Sequence, residues 1–219
     1  MPWERSDHHM THPQSATLVE SVAQALSWAI TDPVGHKSWN ESVCQSIASS
    51  GCKRRPGAKE LRQAASVFDS SAIPPITINK YLMRLRSAFR CSDATFIAAL
   101  IIVDRLLQYD GGRLPLTMRN VHRVFLASLV VAVKYHEDLV YSNSHYARAG
   151  GVHLREVNRL ERVLLAALDF DLRVDPEQFR IYESALRELC RTLEEPTKAG
   201  VGALQRPVGI PVPVTPGNC

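Results

Sequence analysis

The chain has 219 residues, of which 45% are hydrophobic and 22% charged, with a formal net charge of +4. This composition is typical of a soluble globular protein, long enough for one domain with additional segments or for two small domains. No segment approaches the roughly 18 continuous apolar residues of a membrane-spanning helix. The mild positive charge is interspersed with acidic residues, which gives little support for nucleic-acid binding.

The cysteines indicate a reducing environment. There are five, an odd number, and no two of them form a C-x-x-C pair: Cys44, Cys52, Cys91, Cys190 and Cys219. The N-terminal residues are polar and rich in histidine, unlike a secretory signal. We therefore expect free thiols in an intracellular protein of the nucleus, the cytoplasm or both.

The N-terminal third is predicted to contain one regular helix. Residues 1–15 lack hydrophobic periodicity and are expected to be disordered. Apolar residues then recur at the spacing of one helical face, at Leu18, Val22, Leu26 and Ile30, which predicts an amphipathic helix over residues 16–30. Residues 31–71 are rich in Pro, Gly and Ser, and they are predicted to form a long irregular insertion, with a short helix in AKELRQAASVF.

From residue 72 to residue 194 the sequence predicts five helices. The segments are ITINKYLMRLRSAF, SDATFIAALIIVDRLLQYDGG, LTMRNVHRVFLASLVVAVKYHED, HLREVNRLERVLLAALDF and DPEQFRIYESALRELCRTLEE. All are longer than the roughly 4 to 8 residues typical of a strand, so the runs of Ile and Val are assigned to buried helices. The fold class is therefore all-α. The tail, residues 195–219, is rich in Pro and Gly and is expected to be disordered.

Three charged residues lie where helical spacing predicts apolar ones. Lys134 ends an apolar run, and it is either the solvated end of a buried helix or a contact residue. Glu161 lies at the boundary of a surface stripe or faces a partner. Asp104 has apolar neighbours on its face, which favours a buried ion pair with an arginine of a neighbouring helix.

Several motifs in this order resemble a cyclin box. They are ALIIVDRLLQ, NVHRVFLASLVVAVKYHEDLVYSNSHYARAGGV and VNRLERVLLAALDFDLRVDPEQF. More narrowly, the chain is similar to single-box cyclins of the phosphate-signalling type, also called P- or U-type cyclins, from about Ile76 to Glu183. The run YSNSHYARAGGV is the hallmark of that narrower group. The resemblance implies a five-helix box preceded by an extra N-terminal helix.

The resemblance also implies a function and a partner. Cyclins bind cyclin-dependent serine/threonine kinases and activate them by positioning the kinase C-helix, in cell-cycle control or in nutrient and phosphate signalling. Lys134 and Glu161 fall on the family's lysine and glutamate that reach the kinase interface. Arg84 and Asp104 fall on the two residues that form a buried ion pair between the first two helices.

Further kinase-binding residues are expected along the same edge. Aromatic anchors and a polar rim would come from Tyr135, Glu137, Asp138, Tyr141 and Tyr146, and apolar contacts from Leu164 and Leu165. The segment MRLRSAF has Ser87 where two-box cyclins carry an apolar residue of their substrate-docking patch, so that role is not expected here. The residues after Glu195 are too few for a second box.

Other classes of function find less support. No G-x-S-x-G motif, phosphate-binding glycine loop or zinc spacing is present, so an enzyme is not expected. His136, Glu137, His145, His153 and Glu156 could be assembled into a metal site only notionally, and we expect surface histidines with no metal or cofactor. No nucleic acid, membrane or small-molecule substrate is expected. A cyclin-fold scaffold or transcription-factor-like module that binds partners without activating a kinase remains the alternative.

Overall fold

The computed structural model describes residues 13–31, 66–108 and 114–194, and these contain helices and turns but no strand. The helices are α1 Pro13–Thr31, α2 Ile78–Phe89, α3 Asp93–Gln108, α4 Val121–His136, α5 Asn143–Gly150, α6 Leu154–Ala167 and α7 Pro176–Glu194; residues 66–68 are also helical. The all-α prediction is confirmed. The disorder predicted for residues 1–12 and 195–219, and most of the predicted insertion, lie outside the described residues.

Helix α4 forms the centre of the bundle. Every residue from Val124 to Val133 is buried, because the helix packs against α3 and α6 and also against α2 and α5. A helix that is apolar on all sides is stable only inside a core. This explains the apolar run before Lys134, which only Ser128 interrupts.

The surrounding helices bury one face each. In α2 that face carries Ile78, Tyr81, Leu82, Leu85 and Phe89. The helix begins where the Thr77 hydroxyl accepts the Lys80 amide at 3.3 Å, a standard N-cap. Helix α1 lies across α2 and α7. It begins at Pro13, three residues before the predicted start at residue 16.

Helix α5 was not predicted from the sequence. It has only eight residues, a length at which an isolated helix is unstable in water. Packing stabilises it: the Tyr146 ring stacks on Phe89 with centroids 4.5 Å apart. The helix also approaches α4 closely, since a Cβ on Gly150 would lie 2.4 Å from a methyl carbon of Leu126. Gly151 then ends the helix in the left-handed conformation, with φ of 69°.

The last residues of the predicted insertion are held against the start of α4. The Arg119 guanidinium donates to the carbonyl oxygens of Ser70 at 3.2 Å and of Ser71 at 2.6 Å. The Asn120 amide donates to Asp69 at 3.3 Å. These bonds fix the approach of the chain to α2.

Candidate functional site

An ion pair joins the exposed end of α4 to the middle of α6. The Lys134 Nζ atom lies 2.5 Å from Glu161 Oε1, with side chains that are 31% and 16% exposed. Lys134 is the first exposed residue after the buried stretch that ends at Val133. The two charges that the resemblance placed at one interface are thus brought together, and they remain accessible to a partner.

The second oxygen of the Glu161 carboxylate is also occupied. The Asn143 side-chain amide, at the start of α5, donates to Glu161 Oε2 at 2.9 Å and to Asn158 Oδ1 at 2.7 Å. Three helices, α4, α5 and α6, therefore meet at one carboxylate. Asn143 and Asn158 were not among the site residues predicted from the sequence.

In the residues that follow Lys134, the chain exposes several large apolar side chains. In residues 135–141, called here the exposed segment, Tyr135 is 54% exposed, Leu139 85%, Val140 47% and Tyr141 38%. Contiguous exposed apolar groups of this kind mark interaction sites. Leu139 and Val140 were not among the contact residues predicted from the sequence. Two adjacent aliphatic residues between the polar runs His-Glu-Asp and Tyr-Ser-Asn could have indicated an exposed apolar contact.

Two of the residues predicted to bind the kinase face inward, and their contact with a kinase stays a prediction. Tyr146 and Leu164 are both fully buried. The Tyr146 hydroxyl oxygen accepts the Tyr141 amide at 2.9 Å, and burial raises the pKa of this phenol. Tyr146 therefore supports the exposed segment from below. Leu165 is partly buried and lies one turn beyond Glu161 on α6.

Glu137 binds the N-terminal cap of the neighbouring helix α3, where the Ser92 hydroxyl accepts the Thr95 amide at 3.2 Å. Its Oε1 accepts the Ser92 amide at 2.8 Å, the Ser92 hydroxyl at 2.8 Å and the Thr95 hydroxyl at 2.6 Å. Burial raises the pKa of this carboxyl, but the hydrogen bonds from Thr95 and Ser92 and the charge of Arg86 outweigh it, so the pKa is lowered. Glu137 thus anchors the exposed segment, whereas its neighbour Asp138 is exposed.

An exposed aromatic residue follows the end of α6. Phe170 is 69% exposed, and both it and Asp169 have positive φ, 57° and 50°. Its amide donates to the Leu165 carbonyl at 2.9 Å. A bulky residue in the left-handed region is strained, and such strain concentrates at functional positions. Sequence reasoning missed Phe170, because its φ has no signature in the sequence.

Asp104 contacts a tyrosine of α7, and Arg84 contacts a tyrosine of its own helix α2. Asp104 is 2% exposed, and its Oδ2 accepts the Tyr182 hydroxyl of α7 at 2.8 Å. The Arg84 guanidinium lies over the Tyr81 ring, 5.2 Å from the centroid, and beside Gly151. The ion pair between Arg84 and Asp104 stays a prediction.

The notional metal ligands are engaged separately. His145 Nε2 lies 2.9 Å from the Ala88 carbonyl oxygen, and Glu156 pairs with Arg123. Within the described ranges no three His, Cys, Asp or Glu side chains are grouped as a metal site requires. In the same ranges no helix combines the length and apolar character needed to cross a membrane.

Comparison with known proteins gives consistent matches. A family model described as Cyclin matches residues 15–172. The chain is 37% identical to Cyclin-U4-1 of Arabidopsis thaliana over 147 residues, covering 67% of this chain and 72% of that protein. It is 35% identical to Cyclin-P3-1 of Oryza sativa subsp. japonica over 151 residues, covering 69% and 59%. It is 34% identical to Cyclin-U2-1 of Arabidopsis thaliana over 200 residues, covering 90% and 79%.

Proposed function

This chain belongs to the cyclin family, and we propose that it is the regulatory subunit of a cyclin-dependent serine/threonine kinase, which it binds and activates. The observation that carries the proposal is the accessible ion pair of Lys134 with Glu161 beside the exposed segment. A single surface then offers fixed charges and apolar anchors together.

The chemistry of this surface suits recognition of a protein segment. Lys134 uses one of its three N–H groups on Glu161, which leaves donors for acceptors on a partner. Leu139, Val140 and Tyr141 provide apolar area beside it. Interfaces combine such an apolar centre with a polar rim, and a few anchors supply most of the affinity.

Activation follows from differential binding. A protein kinase is active only when its catalytic-site lysine forms an ion pair with a glutamate of the C-helix. This requires the C-helix to lie inward. A cyclin surface that is complementary to the inward position binds that state more tightly and raises its population. The proposed role of Lys134, Glu161, Leu165 and Phe170 is to contact the C-helix and the segment before it.

We also propose where and in what process the protein acts. Its place is inside the cell, in the nucleus, the cytoplasm or both, and its process is cell division or nutrient signalling. The free Cys91 and Cys190 are compatible with a reducing compartment.

The proposal is tested by mixing the purified chain with a panel of cyclin-dependent kinases. Affinity is measured by calorimetry, and activity by phosphate transfer to a peptide with a Ser-Pro site. At least one kinase should bind and gain activity. Binding without activation would favour a scaffold, and no binding would contradict the proposal. Lys80→Glu, an exposed position on α2, is the matched control for Lys134→Glu because both reverse one lysine charge.

A further inference from the structure

We propose that Asn143 is a positioning residue of the kinase-binding surface. It holds the Glu161 carboxylate in one orientation, and it fixes the exposed segment relative to Lys134. The inference rests on the proposed function, because it assigns a role within that same surface.

The hydrogen bonds of Asn143 define its orientation. A side-chain amide has two N–H groups, and here Asn143 Nδ2 serves two acceptors, Glu161 Oε2 at 2.9 Å and Asn158 Oδ1 at 2.7 Å. Rotating the amide by half a turn would direct its oxygen at the Glu161 carboxylate, which is unfavourable. With Lys134 on Oε1 and Asn143 on Oε2, the carboxylate of Glu161 is held on both sides.

Asn143 also connects the exposed segment to the ion pair. The segment is anchored at Glu137, which bonds to Ser92 and Thr95, and at Tyr141, whose amide donates to the Tyr146 hydroxyl. Both anchors tie the segment to neighbouring helices. Asn143 follows Tyr141 by two residues and donates to Glu161. It therefore connects this end of the exposed segment to the ion pair.

The start of α5 depends on this attachment as well. Ser142 is the N-cap residue, but its side chain makes no capping hydrogen bond and instead contacts the Ser144 hydroxyl at 2.8 Å. Asn143 therefore supplies the side-chain link between the beginning of α5 and α6. Without it, we expect Glu161 to rotate and the exposed segment to shift, while the buried Tyr146 keeps α5 folded.

The first experiment is a double-mutant cycle read as kinase affinity. Asn143→Ala should weaken binding about tenfold, as expected for a coupled pair in one hydrogen-bond network. In the Glu161→Ala background the same change should have little further effect, because Asn143 acts through Glu161. An equal loss in both backgrounds, or no loss in either, would overturn the inference.

Ser144→Ala is the matched control, since Ser144 is the next residue of α5 and is exposed. It should bind the kinase like the wild type. Circular dichroism and the melting temperature establish that Asn143→Ala and Ser144→Ala are both folded. A tenfold loss in Ser144→Ala as well would assign the effect to α5 in general, against a specific role of Asn143.

The second experiment needs no kinase and so separates this inference from the proposed function. Hydrogen exchange is measured at the bonded amides of Tyr141, His145 and Tyr146. Exchange should be several-fold faster in Asn143→Ala and unchanged in Ser144→Ala. Unchanged exchange in both overturns the inference. A wild-type chain that binds no kinase overturns the proposed function and the binding role of Asn143, whereas faster exchange still supports its ordering role.

Discussion

The hydroxyl of Tyr182 donates a hydrogen bond to the carboxylate of Asp104 at 2.8 Å, with both residues buried. This bond fastens α7 to α3. From the sequence, the expected partner of Asp104 was an arginine on α2. A buried carboxylate is stabilised only where donors surround it, so the last helix takes part in satisfying the charge of the second helix of the box.

Replacing Tyr182 by Phe tests the strength of this bond. The ring keeps its packing, but a hydrogen bond to a charged acceptor is lost, which should reduce the free energy of unfolding by about 1.5–3 kcal/mol. Urea denaturation measures the change. A loss below about 0.5 kcal/mol, which is the range of ordinary surface substitutions, would show that the bond contributes little.

Replacing Arg84 by Met tests the predicted ion pair with Asp104. Arg84 lies over Tyr81, and the loss of this cation–π contact alone would reduce the free energy of unfolding by about 0.5–1 kcal/mol. A double-mutant cycle with Asp104→Asn measures the coupling between the two side chains, and little coupling would contradict the predicted pair. A loss of about 3–5 kcal/mol with strong coupling would instead establish the buried pair.

The central helix α4 could be predicted from its helical periodicity, and the charged residues Lys134 and Glu161 because they interrupt that periodicity. Val124 to Val133 are apolar at every position except Ser128, which predicts burial on all sides. Lys134 breaks that pattern, and Glu161 breaks the apolar pattern of α6. Their resemblance to the cyclin lysine and glutamate then placed them at one surface.

The inward direction of Tyr146 and Glu137 could not be predicted, since the residues between α4 and α6 have no regular period. Tyr146 is oriented by its stacking on Phe89, and Glu137 by Ser92 and Thr95. These partners are distant in the sequence. Tertiary contacts, and not local preference, decide which side chains of this region face a partner.

The hydrogen bonds of Glu137 to the N-terminal cap of α3 predict a specific dependence of stability on pH. Because the pKa of Glu137 is lowered from 4.5 in the folded protein, its contribution is complete above that value. The contribution is lost as the pH falls through the lower folded pKa. Glu137→Gln should therefore be less stable than the wild type at pH 7, by about 0.5–2 kcal/mol as for a lost N-cap.

Urea unfolding of wild type and Glu137→Gln between about pH 3 and 7 measures this effect. The difference between the two proteins should shrink as the pH falls below 4.5, the ordinary value of this carboxyl. Curves that stay parallel over the whole range would mean that the ionised carboxylate of Glu137 does not stabilise α3.

Phe170→Gly should separate stability from binding. Glycine adopts positive φ without strain, so removing Phe170 at φ 57° should leave the free energy of unfolding unchanged or raise it by up to about 1 kcal/mol. Kinase affinity should fall, because an exposed aromatic anchor is lost. Phe170→Ala is the control: it should lose affinity equally without the gain in stability. Unchanged affinity in both variants would remove Phe170 from the interface.

Gly150→Ala tests the close approach of α5 to α4. The added methyl group would lie 2.4 Å from a side-chain atom of the buried Leu126, so the variant should lose about 1–3 kcal/mol, as for an overpacked core. Gly151→Ala is the comparison, with a loss of about 1 kcal/mol from its positive φ. Thermal unfolding measures both. A neutral Gly150→Ala would mean that α5 tolerates a wider separation.

The ion pair of Lys134 with Glu161 is proposed to face a kinase. If the pair had a structural role alone, opposite charges at positions 134 and 161 would support kinase activation in either arrangement. Lys134→Glu places a second carboxylate beside Glu161 and should reduce both stability and kinase activation. Exchanging the two charges in Lys134→Glu/Glu161→Lys should restore the ion pair and with it the melting temperature.

The most direct measurement is therefore the kinase activity obtained with the charge-exchanged variant, compared with the wild type and with Lys80→Glu. If the lysine of α4 donates to the kinase, the folded exchange variant should fail to activate it, while Lys80→Glu activates normally. An exchange variant that is stable and activates the kinase as well as the wild type would contradict the claim and leave the pair with a structural role only.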